Sequence, residues 1–190
     1  MKLGVCAMIL LLAGCRARHL SCFEVITCED GHRLDVSPCP NQAMGCAQDA
    51  ACVLLSYWKM DQEPILSQIP SDRGVTIPEL ASIFRRSGMH AELGRDDRRL
   101  QVLKDSIDEG IPVLLVVEIT AGPDVPVSPI LRARGYPHFL VVTGYDVSRK
   151  RVFCLGLDTS TVALSYRRLA SWWKRTDYAF LRVFPSEEVL

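Results

Sequence analysis

Cys46 stands at the head of an apolar helical segment, CAQDAACVLLSYW, and His138 heads a strand-like run, HFLVVTGYD, about ninety positions later. A thiol at a helix N-terminus meets free N–H groups and the positive end of the helix dipole, which favour the thiolate. A thiolate nucleophile needs a partner to hold and shuttle its proton, and imidazole titrates in the right range. Acyl transfer through a thioester is the chemistry such a pair can do. Of the other histidines, His19 and His32 lie in a polar leading segment, and His90 follows a helix stop in a polar stretch. Only His138 opens a strand directly after a long loop, where a side chain facing a cleft is easily held rigid.

The rival groups read as structural. Cys52 lies six residues along the same helix, about 120° around from Cys46, without free N–H groups, and reads as a small core residue. Cys154 sits among apolar strand neighbours and reads the same way. Asp146 lies at a turn and reads as solvated. Of Trp172 and Trp173, one is expected in the core and its neighbour partly exposed. Asp49 falls in the first helical turn, where its charge suits the dipole but opposes a nearby thiolate. No CxxC or HxxxH spacing occurs, so neither metal nor cofactor is expected.

Several elements must position the pair. Ala47, Ala50, Ala51, Leu54 and Trp58 share one stripe at spacings of three and four, predicting a buried helix over 46–58. Thr76 and Glu79 form a capping-box pair with Pro78 in the first turn, opening a second helix that runs to Gly88. A third starts after Asp96 and Asp97, carries Leu100, Leu103 and Ile107, and stops at Gly110. Val113–Ile119 is a continuous apolar, β-branched run, expected as a strand buried on both faces. A Pro-rich loop over 121–137 then leads to His138 and is expected to line the cleft. Three strand-like runs follow (HFLVVTGYD, RVFCLGLD and YAFLRVF), with a short helix carrying Tyr166, Leu169, Trp172 and Trp173 before the last. Helices first and an antiparallel sheet second predict an α+β domain of two lobes.

The front of the chain reads as an address. MKLGVCAMILLLAGC has one lysine, a short apolar run and small residues before Cys15. The run is too short to cross ~30 Å of hydrocarbon as a helix, and it suits an export signal. Leu12-Ala13-Gly14-Cys15 resembles the bacterial lipobox. That resemblance implies cleavage after residue 14 and acyl chains on Cys15, which anchor the protein outside the cytoplasm, in the outer membrane where the cell has one. In that oxidising compartment Cys22, Cys28, Cys39, Cys46, Cys52 and Cys154 remain. Either all six pair as three disulfides, with a local Cys22–Cys28 bridge as one option, or one stays a reactive thiolate. The 22 basic and 22 acidic residues balance, and losing Lys2 with the leader leaves no basic excess, so nucleic acid is not expected as a partner. The apolar content of 48% excludes a disordered chain.

The order Gln42, Cys46, His138, Asp158 resembles the papain-like cysteine peptidases, and most closely the bacteriocin-processing (double-glycine leader) peptidases. That family has a Gln and then a Cys-headed helix of the form CGPAALAMVLRYWG; here the helix reads CAQDAACVLLSYWK, with Tyr57 and Trp58 in the Tyr-Trp positions. GIPVLLVVEI, PHFLVVTGYD and LASWWKRTDYAFLRVFP are similar to later family segments, so the likeness spans residues 40–185. It implies a papain-like fold, N-terminal helices packed against an antiparallel sheet, and a peptide or protein substrate. Cys46 would be the nucleophile and His138 the general base. Asp158 would orient the imidazole and stabilise its charge, and Gln42 would donate to the oxyanion beside the Cys46 N–H. Three departures stand out. Cys-Gly-Pro becomes Cys46-Ala47-Gln48, Gln42 precedes the cysteine by four positions instead of five or six, and Asp49 joins the first turn; Gln48 is a fallback donor. The domain plan is a leader over 1–14, a lipid-anchored tether and irregular lead-in over 15–39, and the peptidase domain over 40–190. A peptide-binding module that does not cut, and a related thiol acyltransferase or amidase, are the other readings of the same parts.

Overall fold

A computed structural model describes residues 26–28, 31–39, 45–96, 100–120, 135–157 and 160–186. In chain order the elements are β1 (Ile26–Cys28), β2 (Gly31–Arg33), α1 (Cys46–Tyr57), α2 (Glu63–Leu66), α3 (Ile77–Arg86), β3 (Met89–Arg95) and α4 (Gln101–Asp108). They continue with β4 (Val113–Ile119), β5 (Tyr136–Asp146), β6 (Arg151–Leu155), β7 (Val162–Ser165), α5 (Tyr166–Lys174) and β8 (Ala179–Pro185).

The long strand β5 organises one antiparallel sheet of eight strands. Along one edge it pairs with β4 from Tyr136 to Val142 and then with β2 from Gly144 to Asp146. Its other edge carries β6, with a register shift between Val142 and Gly144, and β7 lies beyond. On the far side of β4 come β8 and β3. Gly144 is where β2 presses closest: a Cβ there would stand 2.7 Å from the His32 carbonyl oxygen, so only glycine fits this approach.

Both faces of the sheet are covered. Phe139 and Val141 of β5 and Leu114 of β4 pack in one core with α1, α2 and α3, while Leu140, Val142, Val113, Leu115 and Val117 pack in a second with α4 and α5. Strands buried on both faces are apolar along their length, which is why Val113–Val117 lacks alternation; Glu118, near the strand end, is half-exposed and pairs with Arg175. The expected α+β class holds. The expected two lobes resolve as helical layers on opposite faces of one sheet, because α5 arrives late in the chain and covers the face opposite α1.

Three other local readings change. The segment expected as an irregular lead-in contributes β1 and β2 to the sheet, and Leu34 is buried. Met89–Arg95, expected as a polar stretch, is a strand whose His90 stacks on Phe184 with centroids 5.3 Å apart. Trp172 and Trp173 are both buried, because the indole N–H of Trp173 donates to the Ala179 carbonyl oxygen at 2.7 Å and needs no solvent.

The cap of α3 forms as its sequence predicts. Glu79 Oε2 accepts from the Thr76 N–H at 2.8 Å, and Thr76 Oγ1 accepts from the Glu79 N–H at 3.4 Å. The Thr76 backbone donor, with Arg73 beside it, holds the Glu79 carboxyl down at about 2. Thr76→Ala is expected to destabilise the protein by about 1 kcal/mol, read as a lowered urea midpoint at unchanged slope.

Candidate active site

Cys46 is the first residue of α1, after the N-cap Gly45, whose extended backbone (φ −71°, ψ 158°) lets the chain enter the helix. Ala47, Ala50, Ala51 and Leu54 bury the helix against β5; the three alanines permit a close approach. The far end is pinned twice. Tyr57 donates its hydroxyl to the Gly110 carbonyl oxygen at 2.8 Å, and the Trp58 indole donates to the Val183 carbonyl oxygen at 2.8 Å. The Tyr-Trp pair therefore sets the axis of α1 and, with it, where Cys46 sits.

His138 lies near the start of β5, opposite Val117 of β4. Cys46 and His138 line one cleft together with Gln48, Arg73, Val116 and Phe139. The structure thus brings together the two groups the sequence put first. Cys46 carries a free, half-buried thiol. The His138 ring hydrogen-bonds through Nε2 to the Gly156 carbonyl oxygen. Burial pushes the imidazole below its ordinary pKa, and the Gly156 contact opposes that in part. Burial therefore favours the neutral ring, the form that can act as a base.

Gln42 and Asp158 lie outside the described residues, as do Cys15, His19, Cys22 and the loop over 121–134. The fallback donor Gln48 is already engaged: its Oε1 accepts from the Gly45 N–H at 3.2 Å and its Nε2 donates to the Ile69 carbonyl oxygen at 3.1 Å. It braces the mouth of α1 against the turn that follows α2. Asp49 has a buried Oδ1 with no hydrogen-bond partner among the described residues, and desolvation raises its pKa. It holds a proton more readily than an ordinary aspartate, which softens its opposition to a thiolate.

The rival groups fall away on geometry. Cys52 is bonded to Cys39, not a lone core thiol, with the two Cα atoms 5.8 Å apart. Cys154 is fully buried, and burial pushes its thiol up to about 12. Asp146 is buried at 5% exposure rather than solvated, because its carboxylate accepts from the Arg149 N–H and the Ser148 hydroxyl, both at 2.8 Å. It closes the β5–β6 turn, eight residues and some ~26 Å of strand from His138. His32 sits at the same far end, paired with Asp108.

The sequence reading missed Tyr136. It is two residues from His138 on the same strand face, with ring centroids 5.8 Å apart in an edge-on contact. Burial raises its phenol pKa, and the nearby Cys46 raises it further. The strand begins at Tyr136 because Pro137, lacking an N–H, is tolerated near a strand end; the proline had extended the expected loop over both positions. With the period of two continued backward from His138, Tyr136 was legible.

No protein-family model and no curated protein matches this chain. Solved structures are similar in fold, three peptidase domains among them. The peptidase domain of Streptococcus ComA, a bi-functional ABC transporter involved in quorum sensing, aligns with TM-score 0.54 at 16% identity over 80% of this chain and 98% of its own. A structure described as a C39-like peptidase from Bacillus anthracis aligns with TM-score 0.55 at 15% identity, over 77% and 92%. A double glycine motif protease from an AMS/PCAT transporter, in complex with its leader peptide, aligns with TM-score 0.50 at 15% identity, over 81% and 94%. The chain has the α+β fold of the C39 papain-like peptidase domains, with α1 and β5 as the elements that carry Cys46 and His138.

Proposed function

We propose that the protein is a cysteine peptidase that hydrolyses peptide bonds outside the cytoplasm while tethered to a membrane through lipid on Cys15. The observation that carries the reading is the shared cleft of a free thiol at a helix N-terminus and a half-buried imidazole. His138 takes the Cys46 proton as the sulfur attacks the peptide carbonyl carbon. The Cys46 backbone N–H and the Gln42 side-chain amide stabilise the resulting oxyanion. Collapse to the thioester expels the amine, which leaves with the proton from His138. Water, deprotonated by the same ring, then releases the acid and restores the thiol. The Asp158 carboxylate supplies negative charge that stabilises the transient imidazolium. One observation favours a module that binds peptides without cutting them: Asp49 stands in the first turn of α1, where its ionised form would oppose a thiolate at Cys46.

Selective alkylation tests the reading. Iodoacetamide near neutral pH is expected to modify Cys46 in the folded protein and to leave Cys154 unmodified, as mapped by mass spectrometry, with loss of peptide hydrolysis tracking Cys46 modification. Equal labelling of the two thiols, or full activity after Cys46 is blocked, would sink the assignment. For the anchor, Cys15→Ala is expected to move the protein from the membrane fraction to the soluble fraction on cell fractionation, as two acyl chains are what make attachment stable.

A further inference from the structure

We propose that the main-chain carbonyl of Gly156 fixes the tautomer and orientation of the His138 imidazole. The inference rests on the peptidase reading and refines it, because orientation of the base is separated from the charge that Asp158 supplies. A carbonyl oxygen can only accept a hydrogen bond, so the nitrogen it meets, Nε2, must carry the proton. The neutral ring then keeps its lone pair on Nδ1, and Nδ1 is the atom that acts as base. A carboxylic acid or hydroxyl partner could present either a donor or an acceptor; a carbonyl leaves one tautomer.

The backbone at Gly156 is built for this contact. It follows directly on β6, which ends at Leu155, and turns with φ +108°, a conformation that side-chain-bearing residues rarely adopt. A Cβ at this position would stand 2.8 Å from the Phe139 carbonyl oxygen, on the residue next to His138. Glycine thus lets the chain turn hard against β5, where its carbonyl reaches the ring. The imidazole is held at both ends: its backbone is locked opposite Val117 by the β4–β5 ladder, and its outer nitrogen is tied to the neighbouring strand's exit. A main-chain dipole at the exit of a sheet strand has no rotamers to freeze, which makes it a stiffer support than a side chain would be.

The test reads the ring as well as the rate. In the full chain, ¹⁵N NMR of His138 is expected to show the proton on Nε2, both in the wild type and in Asp158→Asn. Gly156→Ala is expected to lower kcat by on the order of 10²–10⁴-fold, with KM little changed, and to mix the two tautomers. Asp158→Asn is expected to give the smaller loss in kcat. Should Gly156→Ala fail to fold, the Asp158→Asn spectrum decides alone. A proton on Nδ1 in the wild type, or one that leaves Nε2 in Asp158→Asn, overturns the proposal, as does a larger kcat loss in Asp158→Asn than in a folded Gly156→Ala. If the wild type cuts no peptide but keeps the Nε2 proton, the peptidase reading fails and the tautomer assignment stands.

Discussion

Cys46→Ala is expected to abolish peptide hydrolysis, with kcat/KM falling by at least about 10⁴-fold, some 5.4 kcal/mol of transition-state stabilisation. The thioester cannot form without the sulfur, and nothing described in the cleft can replace it: Cys52 is locked in a disulfide and Cys154 is sealed in the second core. His138→Ala is expected to come close to the same loss, since nucleophile and base act as one unit, and the double variant should cost little more than either single one. Cys46 heads its helix at the cleft surface, so its truncation should leave the unfolding midpoint nearly unchanged, and circular dichroism will separate lost chemistry from lost structure. A Cys46→Ala protein that cuts at even a tenth of the wild-type rate would rule out the nucleophile.

The pH dependence follows from burial. Because burial lowers the His138 pKa, the neutral base persists below the usual value of ~6.5. The acid limb of the activity profile is expected to fall as pH drops through that lowered value. Stability follows with a definite sign: between the lowered folded pKa and ~6.5 the unfolded chain binds more protons at this residue, so the His138 contribution to stability declines as pH falls through that window.

Loss of the Cys39–Cys52 bond is the second large effect. The bridge spans a sequence separation of 13, and closing a loop of that size lowers the entropy of the unfolded chain enough to stabilise the fold by about 3 kcal/mol. For a domain of this length that corresponds to a fall of roughly 6–12 °C in Tm. The double substitution Cys39→Ala and Cys52→Ala is the cleaner form of the test, as it leaves no odd thiol to mispair. The bridge also holds the chain just ahead of α1 against its second turn, on the approach to the nucleophile. A drop in activity is therefore expected below the new Tm, together with the thermal shift. An unchanged Tm on non-reducing and reducing scans would show that the bridge contributes nothing to stability.

What the chain determined by itself was local. The stripe Ala47, Ala50, Ala51 and Leu54 sets a helix because apolar residues at spacings of three and four share one face. Thr76 and Glu79 cap a helix because both partners lie within four residues. Val113–Ile119 is a strand because the unbroken apolar run Val113–Val117 suits burial on both faces. Cys46 and His138 could be singled out for the same reason: a helix start and a strand start are local events whose chemistry does not depend on the rest of the fold.

Everything that required two distant segments to meet was left to the tertiary structure. Cys52 pairs with Cys39 because the fold sets Cys39 beside the second turn of α1, and six cysteines alone allow fifteen pairings. Asp146 is buried because β5 runs on past β4 and the turn to β6 folds its own donors over the carboxylate. Trp172 and Trp173 are both enclosed because α5 packs across β4, β6 and β7 in the second core. The ring of His138 meets a carbonyl eighteen residues later only because β6 returns antiparallel to β5 and exits through a glycine. The physical reason is the same throughout: periodicity and capping report energies within a turn or two of backbone, whereas partners of a thiol, a carboxylate or an imidazole are chosen by how the sheet closes.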